Sequence, residues 1–213
     1  MNKTAIVFGA TGLIGGFLVR RLAEDHRYAE IKVFTRKPLE WKHHKVDEII
    51  TDFKNLDGLR QQVKGDEVFC CLGTTINTAG SQAAFRKVDY ELVRWVAAAA
   101  AENKIQSFLV VSSIGANANS SNFYLRTKGE MEKAVQAFGF SKCVIVRPSI
   151  LLGPRKEFRL GESVGKFFAQ LFSFLTPAKY KGIQAEQVAH AMIVLANDEK
   201  GQGIYENADL LKI

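Results

Sequence analysis

The sequence predicts an α/β fold in which helices cover both faces of a parallel sheet, that is, a doubly wound sheet. Two patterns indicate this fold: short apolar runs alternate with helix-compatible segments along most of the chain, and a glycine-rich loop follows the first run. With 213 residues, the chain is long enough to bury about 70% of its unfolded surface around one core. We therefore expect a single domain that covers residues 1–213.

Six short runs rich in β-branched and aromatic residues predict buried strands. They span residues 4–8, 31–35, 46–50, 66–70, 107–112 and 143–147. The helix-compatible segments between them span residues 13–24, 56–63, 82–102 and 122–138. After Pro148 the pattern predicts a loop, helices over 164–175 and 184–197, and a last strand over 204–206. We expect residues 151–182 to form a small C-terminal cap at the carboxyl ends of the strands, where open α/β sheets bind ligands.

Composition argues against several classes of protein. The three cysteines include the adjacent pair Cys70–Cys71, which could form a disulfide only under severe strain, and no cysteine spacing resembles a zinc site. With no cleavable signal at the start and no apolar run that reaches the roughly 18 residues of a membrane span, we expect a reduced, cytoplasmic protein. The cations behind the net charge of +7 are scattered and the four histidines are dispersed. We therefore expect neither a nucleic-acid partner nor a metal.

The loop "VFGATGLIGG" places Gly9, Gly12 and Gly15 between the first strand and the first helix. The first glycine permits the tight turn, the second lets backbone N–H groups approach a pyrophosphate, and the third allows close packing of helix and strand. The helix N-terminus adds a dipole that favours an anion. Together with the second strand that follows, this spacing predicts a Rossmann-like dinucleotide site.

The end of the second strand discriminates between the two nicotinamide dinucleotides. A site that prefers NAD usually carries an acidic residue there, whereas "VFTRKP" places Arg36 and Lys37 at this point. A guanidinium binds phosphate bidentately, so we expect NADP(H) to be favoured over NAD(H), with Arg36 on the 2′-phosphate. Asp52, which follows the third strand, is expected to accept from the adenine amino group.

The sequence contains two Tyr-x-x-x-Lys pairs, Tyr28–Lys32 and Tyr124–Lys128. Four residues apart on a helix, the two side chains share a face, and an ammonium close to a phenol favours the phenolate. Tyr28 is predicted to lie between a helix and a strand, away from the carboxyl ends of the sheet, so we set that pair aside. Tyr124 is predicted to begin the helix after the fifth strand, where a nicotinamide would lie.

The motifs "GATGLIGG", "FTRKP", "CCLGTT", "VSSIGANANSSNFYLRTKGEMEKAV" and "RPSILLG" resemble the short-chain dehydrogenase/reductase superfamily, in its atypical or extended branch. More closely, they resemble the group that contains the Tat-interacting oxidoreductase and its small bacterial relatives. The resemblance implies that Tyr124 is the catalytic acid/base, that Lys128 holds the nicotinamide ribose and that Ser113 orients the substrate carbonyl, with Ser112 as the alternate. Many members of the superfamily carry an asparagine in the helix after the fourth strand, whereas Asp89 stands near that position here.

The resemblance also implies a set of cofactor-binding residues along the carboxyl edge of the sheet. Besides Lys128, these are Gly9, Thr11, Gly12, Leu13, Ile14, Gly15, Arg36, Lys37, Asp52, Phe53, Leu72, Gly73, Thr74, Thr75, Ser112, Pro148, Ser149 and Ile150.

These residues predict an NADPH-dependent oxidoreductase that reduces a small carbonyl substrate by hydride transfer. One alternative is a non-catalytic NADPH-binding sensor or interaction module, and another is epimerase or dehydratase chemistry on the same scaffold. Cys71 has no histidine fixed near it and is interpreted as a packing residue rather than a nucleophile. Aromatic side chains that could line an apolar pocket are Phe158, Phe167, Phe168, Phe172 and Phe174. The chain is expected to be a monomer or a homodimer, with the alanine-rich helix at 82–102 as one possible contact surface.

Overall fold

A computed structural model describes residues 2–153 and 177–213 of the chain. The predicted helix at 164–175, most of the predicted cap at 151–182 and the five phenylalanines between positions 158 and 174 lie outside the described residues.

Seven strands form one parallel sheet in the order β3-β2-β1-β4-β5-β6-β9. This order confirms the doubly wound, Rossmann-like fold, since the chain moves outward from β1 first to one side and then to the other. The strands are β1 (Lys3–Phe8), β2 (Tyr28–Thr35), β3 (Val46–Ile50), β4 (Glu67–Cys70), β5 (Ser107–Val111), β6 (Lys142–Arg147), β7 (Leu151–Leu152), β8 (Ile183–Gln184) and β9 (Gly203–Glu206). The short strands β7 and β8 pair with each other outside the main sheet.

The helices lie on both faces of this sheet. They are α1 (Leu13–Glu24), α2 (Leu56–Arg60), α3 (Ile76–Ala79), α4 (Gln82–Arg86), α5 (Val93–Glu102), α6 (Phe123–Gln136), α7 (Ala185–Asn197) and α8 (Asn207–Leu210), with a π-helical turn at Lys87–Leu92 and a 3₁₀ turn at Ala178–Tyr180. On one face, Leu18 of α1 and Met192 of α7 pack in the same apolar cluster. On the other, Val96 of α5 and Met131 of α6 do so. Each face of the parallel sheet is thereby covered.

Several elements differ from their predicted extents; helix α2, for example, ends at Arg60 rather than at residue 63. Strand β2 begins at Tyr28 rather than at residue 31, because its backbone already pairs with β1 there, Tyr28 opposite Lys3. The Tyr28 hydroxyl also donates to Glu67 at 2.6 Å, a contact that local hydrophobicity does not reveal. The predicted helix at 82–102 is interrupted by the π-helical turn, which buries Asp89 completely. Such π-helical turns are rare overall, and those that occur are often found at functional sites.

The alanine-rich helix α5 packs its alanines against other residues of the same chain. Ala97, Ala99 and Ala100 are fully buried in the same cluster as Val93 and Val96. Small side chains at these positions let the helix lie close to the sheet. This face of α5 is therefore not available as a contact surface for a second copy.

Two further observations on the described residues concern membrane-spanning helices and metal-binding clusters. Within 2–153 and 177–213, no helix combines the length and the apolar character that a membrane crossing requires. In the same ranges, no cluster of three or more histidine, cysteine or acidic side chains is arranged to hold a metal ion.

Candidate functional site

The glycine loop after β1 makes two backbone contacts that exclude side chains. Gly9 has a φ of 85°, and a Cβ atom there would lie 2.6 Å from the carbonyl carbon of Cys71. A Cβ on Gly15 would lie 2.2 Å from the Gly9 carbonyl oxygen. Both distances are far shorter than any real Cβ contact, so the glycines are required by the close approach of α1 and of the β4 loop to this turn.

Helix α1 presents a free N-terminus beside this loop. Its N-cap is Gly12, which has no side chain to cap the helix, and its first turn contains no acidic residue. The first backbone N–H groups of a helix need a partner, and an anion is favoured there by the helix dipole. The residues present therefore fit the pyrophosphate of a dinucleotide, and Thr11, Leu13 and Ile14 flank the place where it would be held.

At the end of β2, Arg36 and Lys37 project into solvent. The turn that carries them is held by Thr35, whose hydroxyl donates to the Lys37 carbonyl at 2.8 Å and whose carbonyl accepts from the Thr51 N–H. Within the part of the chain that the structure describes, neither cation forms a salt bridge with an acidic side chain. Both are thus available to an anionic ligand.

The turn after β3 places Asp52 and Phe53 at the same edge. The Asp52 side chain is exposed and accepts from the backbone N–H of Lys54 at 2.9 Å, and this hydrogen bond lowers the pKa of the carboxyl. Phe53 adopts a left-handed φ of 57°, and its ring lies 6.3 Å from that of Phe8. The pair forms an acidic, partly aromatic corner next to the glycine loop.

The loop after β4 runs across the middle of the carboxyl edge. The Cys71 N–H donates to the Phe8 carbonyl at 2.8 Å, which holds the start of the loop against the end of β1. Leu72 and Gly73 follow, Thr74 donates its backbone N–H to Asp89 at 2.8 Å, and Thr75 caps helix α3 through its hydroxyl. The loop is therefore tied to the strand on one side and to the π-helical turn on the other.

Tyr124 and Lys128 lie on consecutive turns of α6, as their spacing predicts. Tyr124 is half-buried, with its ring 5.4 Å from that of Phe85. Lys128 is buried, and its Nζ lies 2.7 Å from Oδ1 of the fully buried Asp89. Burial disfavours the ammonium, but the charge of Asp89 and the neighbouring Tyr124 outweigh it and raise the pKa of Lys128. The lysine is therefore an ammonium ion with a built-in counter-ion.

The second tyrosine–lysine pair is structural. Tyr28 begins β2 at the amino edge of the sheet, where its hydroxyl donates to Glu67 at 2.6 Å and accepts from Asn197 at 2.9 Å. Burial, followed by the charge of Glu67, raises the pKa of Tyr28 well above its ordinary value. Lys32 lies within the same strand and donates to the Lys64 carbonyl. Setting this pair aside agrees with the geometry.

The two serines after β5 have different surroundings. Ser112 is buried and its hydroxyl donates to Glu132 of α6. Ser113 is only half-buried, and its hydroxyl lies 3.4 Å from the Ile114 carbonyl oxygen, a long separation for such a donor. Of the two hydroxyls, that of Ser113 is the one that can turn toward a ligand.

The chain after β6 is held from the C-terminal side. The Pro148 carbonyl accepts from Ile114, and the Ile150 carbonyl accepts from Ile183. Ser149 donates its N–H to the Asn207 side chain at 2.9 Å and its hydroxyl to the Lys181 carbonyl. These contacts fix the backbone of 148–150 beside the β5 serines. The Ser149 hydroxyl is occupied by its hydrogen bond to the Lys181 carbonyl.

Sequence reasoning overlooked three residues that position α6. Glu132 pairs bidentately with Arg147 of β6, and Arg147 also donates to Glu206 at 2.8 Å. Gly129 lets the loop after β5 pack on the helix, since a Cβ there would lie 2.1 Å from the Ala118 nitrogen. The sequence feature that could have indicated Gly129 and Glu132 is the run "KGEME", in which both follow Lys128 within four residues.

The cysteines are expected to react slowly with thiol reagents. Burial raises the pKa of Cys70 to about 12 and that of Cys143 to about 11, and it also raises that of the Cys71 thiol. Because the thiolate is the reactive form, alkylation of the native protein at pH 8 should be at least about 100-fold slower than alkylation in urea. Mass spectrometry over a time course measures both rates. Rapid labelling of native Cys71 would contradict its interpretation as a packing residue.

Known proteins resemble this chain over most of its length. The NAD(P)H-binding family matches residues 9–199. The mitochondrial protein FMP52 of Debaryomyces hansenii is 32% identical over 207 residues, which cover 94% of this chain and 90% of that protein. Protein HTATIP2 of Rattus norvegicus is 34% identical over 175 residues, which cover 80% of this chain and 72% of that protein.

Solved structures show the same fold at low identity. The enzyme WbmH of Bordetella bronchiseptica, solved in complex with NAD+, superposes with a TM-score of 0.75 at 18% identity over 97% of this chain and 75% of that one. The UDP-N-acetylglucosamine 4-epimerase of Bacillus cereus gives a TM-score of 0.71 at 19% identity over 96% of this chain and 75% of that one.

The relatives correct one expectation. FMP52 proteins of several yeasts, among them those of Debaryomyces hansenii and Candida albicans, are named mitochondrial, which contradicts the predicted cytoplasmic location. The error arose because a low cysteine count indicates a reduced environment, which more than one cellular compartment provides. The glycine loop, the carboxyl-edge site and the matches to both relatives agree on the family: the chain belongs to the NAD(P)H-binding proteins and, among them, to the atypical short-chain dehydrogenases/reductases.

Proposed function

We propose that this protein is an NADPH-dependent reductase of a small carbonyl compound. The observation that carries the proposal is the pairing on α6 of a half-buried phenol, Tyr124, with a buried ammonium, Lys128, at the carboxyl edge of a dinucleotide-binding sheet. A protein that merely binds the cofactor has no chemical need for such a pair.

Each part of NADPH has residues suited to it. The N-terminus of α1 and the tight turn from Gly9 to Gly12 suit the pyrophosphate, and Asp52 and Phe53 suit the adenine. The loop 72–75 would pass beneath the ribose and phosphates, and residues 148–150 would face the carboxamide. In this arrangement the Lys128 ammonium, which is buried beneath Gly73, would reach the hydroxyl groups of the nicotinamide ribose from under the loop.

Bound NADPH supplies a hydride, which the protein itself cannot provide. The chain contributes the proton and the orientation. Tyr124 donates its phenolic proton to the carbonyl oxygen, and the Ser113 hydroxyl donates a hydrogen bond to the same oxygen and so fixes its position. Lys128 stabilises the phenolate that remains.

A screen of aldehydes, ketones and quinones with NADPH oxidation at 340 nm as the readout tests the proposal. Turnover of at least one class with saturating NADPH is expected. If none is turned over while NADPH binds tightly, the non-catalytic alternative replaces the reductase. Conversion of a nucleotide sugar without net NADPH oxidation would instead identify an epimerase, the reaction named for one of the structural neighbours.

The preference for NADPH is expected to depend on Arg36. Because Arg36 is exposed and has no acidic partner within the described ranges, Arg36→Glu should weaken NADPH binding about tenfold more than NADH binding. Titration of both dinucleotides, followed by intrinsic fluorescence, measures the two dissociation constants. Lys64→Glu makes the same change in charge at an exposed position near the opposite edge of the sheet and serves as the control. Equal effects of Arg36→Glu on the two dinucleotides would remove Arg36 from the 2′-phosphate.

A further inference from the structure

Asp89 is a charged residue near the site that has no exposure to solvent. Its side chain is completely buried, one carboxylate oxygen lies 2.7 Å from the Lys128 ammonium, and the other accepts the Thr74 N–H at 2.8 Å. It occupies the π-helical turn that interrupts an otherwise regular helical segment. One carboxylate thus connects the lysine of α6 with the loop after β4.

Stability alone is a weak explanation for this arrangement. A buried ion pair loses its hydration, and replacing such a pair by apolar residues is often neutral or stabilising. The π-helical turn that carries Asp89 is a rare backbone form, and such turns are often found at functional sites. Gly73 sits directly over the pair, since a Cβ there would lie 3.4 Å from Asp89 Oδ1 and 3.7 Å from Lys128 Nζ. The pair is therefore buried beneath the very loop that faces the cofactor.

We propose that Asp89 is a positioning residue that acts through Lys128: it holds the ammonium and the Thr74 loop in one fixed arrangement, and its negative charge offsets the field that Lys128 exerts on Tyr124. The proposal rests on the proposed function for the role of Tyr124. Its consequence is that Lys128 stays an ammonium ion at neutral pH, the state in which it can stabilise the phenolate that forms when Tyr124 gives up its proton.

The charges around Lys128 make the expected pH effect definite. The groups that act on it are Asp89 from the π-helical turn, Tyr124 from its own helix and Cys70 from β4. Burial raises the pKa of Cys70 to about 12, so this thiol stays neutral in the working range. Arg86 and Glu130 form an ion pair on the more exposed side of the same helices. Removing the charge of Asp89 therefore lets the buried Lys128 ammonium lose its proton at lower pH.

The first test is the pH profile of kcat/KM for Asp89→Asn. The amide keeps the size of the side chain and can still accept the Thr74 N–H, but the negative charge is gone. We expect the basic limb of the profile to move to lower pH by at least about one unit. Glu130→Gln also removes a carboxylate from the vicinity, at a more solvated position, and should leave the limb in place. An unmoved limb in Asp89→Asn would overturn the offsetting role.

The second test does not need turnover. Asp89→Ala leaves the Thr74 N–H and the Lys128 ammonium without their partner, so the affinity for NADPH should fall about tenfold, whereas Asp89→Asn should stay within about threefold of the wild type at pH 7. Circular dichroism checks that both variants are folded. If Asp89→Ala does not fold, the NADPH affinity of Asp89→Asn alone decides whether Asp89 has the positioning role. Wild-type affinity in a folded Asp89→Ala, or a tenfold loss in Asp89→Asn at pH 7, would overturn the positioning role. Because this test measures binding, it still decides about Asp89 if the wild type reduces no carbonyl compound and the proposed function fails.

Discussion

Replacing Tyr124 by phenylalanine is expected to lower kcat by roughly two or more orders of magnitude and to leave NADPH binding nearly unchanged. General acid catalysis by a positioned side chain contributes about 10²–10⁴-fold, and the phenol hydroxyl is the only group that the substitution removes. The ring remains, so its 5.4 Å contact with Phe85 and the packing of α6 are preserved. A loss in kcat without a loss in cofactor affinity is the signature of a group that acts in the transition state.

The control is Tyr205→Phe, which removes a phenol hydroxyl from strand β9. Its rate should equal that of the wild type, and its thermal stability shows how much a lost hydroxyl costs by itself. Steady-state rates with the best substrate of the screen and fluorescence titration with NADPH provide the two measurements. A Tyr124→Phe variant with the wild-type rate would assign the proton to another donor.

Two adjacent glycines of α1 are expected to respond to alanine in opposite ways. A Cβ on Gly15 would lie 2.2 Å from the Gly9 carbonyl oxygen and 2.9 Å from the Ala10 Cα, so backbone must move. A Cβ on Gly16 would lie 3.5 Å from the Ala10 carbonyl oxygen, an ordinary contact. Gly15→Ala should therefore lower the free energy of unfolding by about 1–3 kcal/mol and displace the loop that we propose faces the pyrophosphate.

Gly16→Ala is the matched control, since it makes the same chemical change one position later in the same helix. Alanine is a better helix former than glycine by about 1 kcal/mol, so this variant should be as stable as the wild type or more stable. Urea unfolding gives both free energies, and titration with NADPH should show a marked loss of affinity for Gly15→Ala alone. If both variants bound NADPH like the wild type, the close contact at Gly15 would not matter for the cofactor.

The strands and the main helices were predictable because their signals are local. Apolar runs located the strands of the central sheet, although β2 starts earlier than predicted, and the glycine spacing located the turn after β1 together with the start of α1. The four-residue spacing of Tyr124 and Lys128 was sufficient to place them on one helical face, because that face depends on helix geometry alone.

Contacts between distant segments could not be predicted in this way. Hydrophobic periodicity indicated one continuous helix at 82–102 and gave no sign of the π-helical turn that aims Asp89 at Lys128. It also could not distinguish the two serines after β5, since their difference depends on Glu132, which reaches Ser112 from the neighbouring α6.

The sequence by itself determined the class of fold, the kind of cofactor and the pair of residues proposed for proton transfer. These follow from the spacing of residues that are close together in the sequence, because such spacing depends on local helix, strand and turn geometry alone. The tertiary structure alone decided which groups surround that pair: Asp89 beside Lys128, Ser113 rather than Ser112 open to a ligand, and Tyr28 anchored at the opposite edge. The physical reason is that the environment of a charged or hydrogen-bonding group is set by segments that only the packing of sheet and helices brings together.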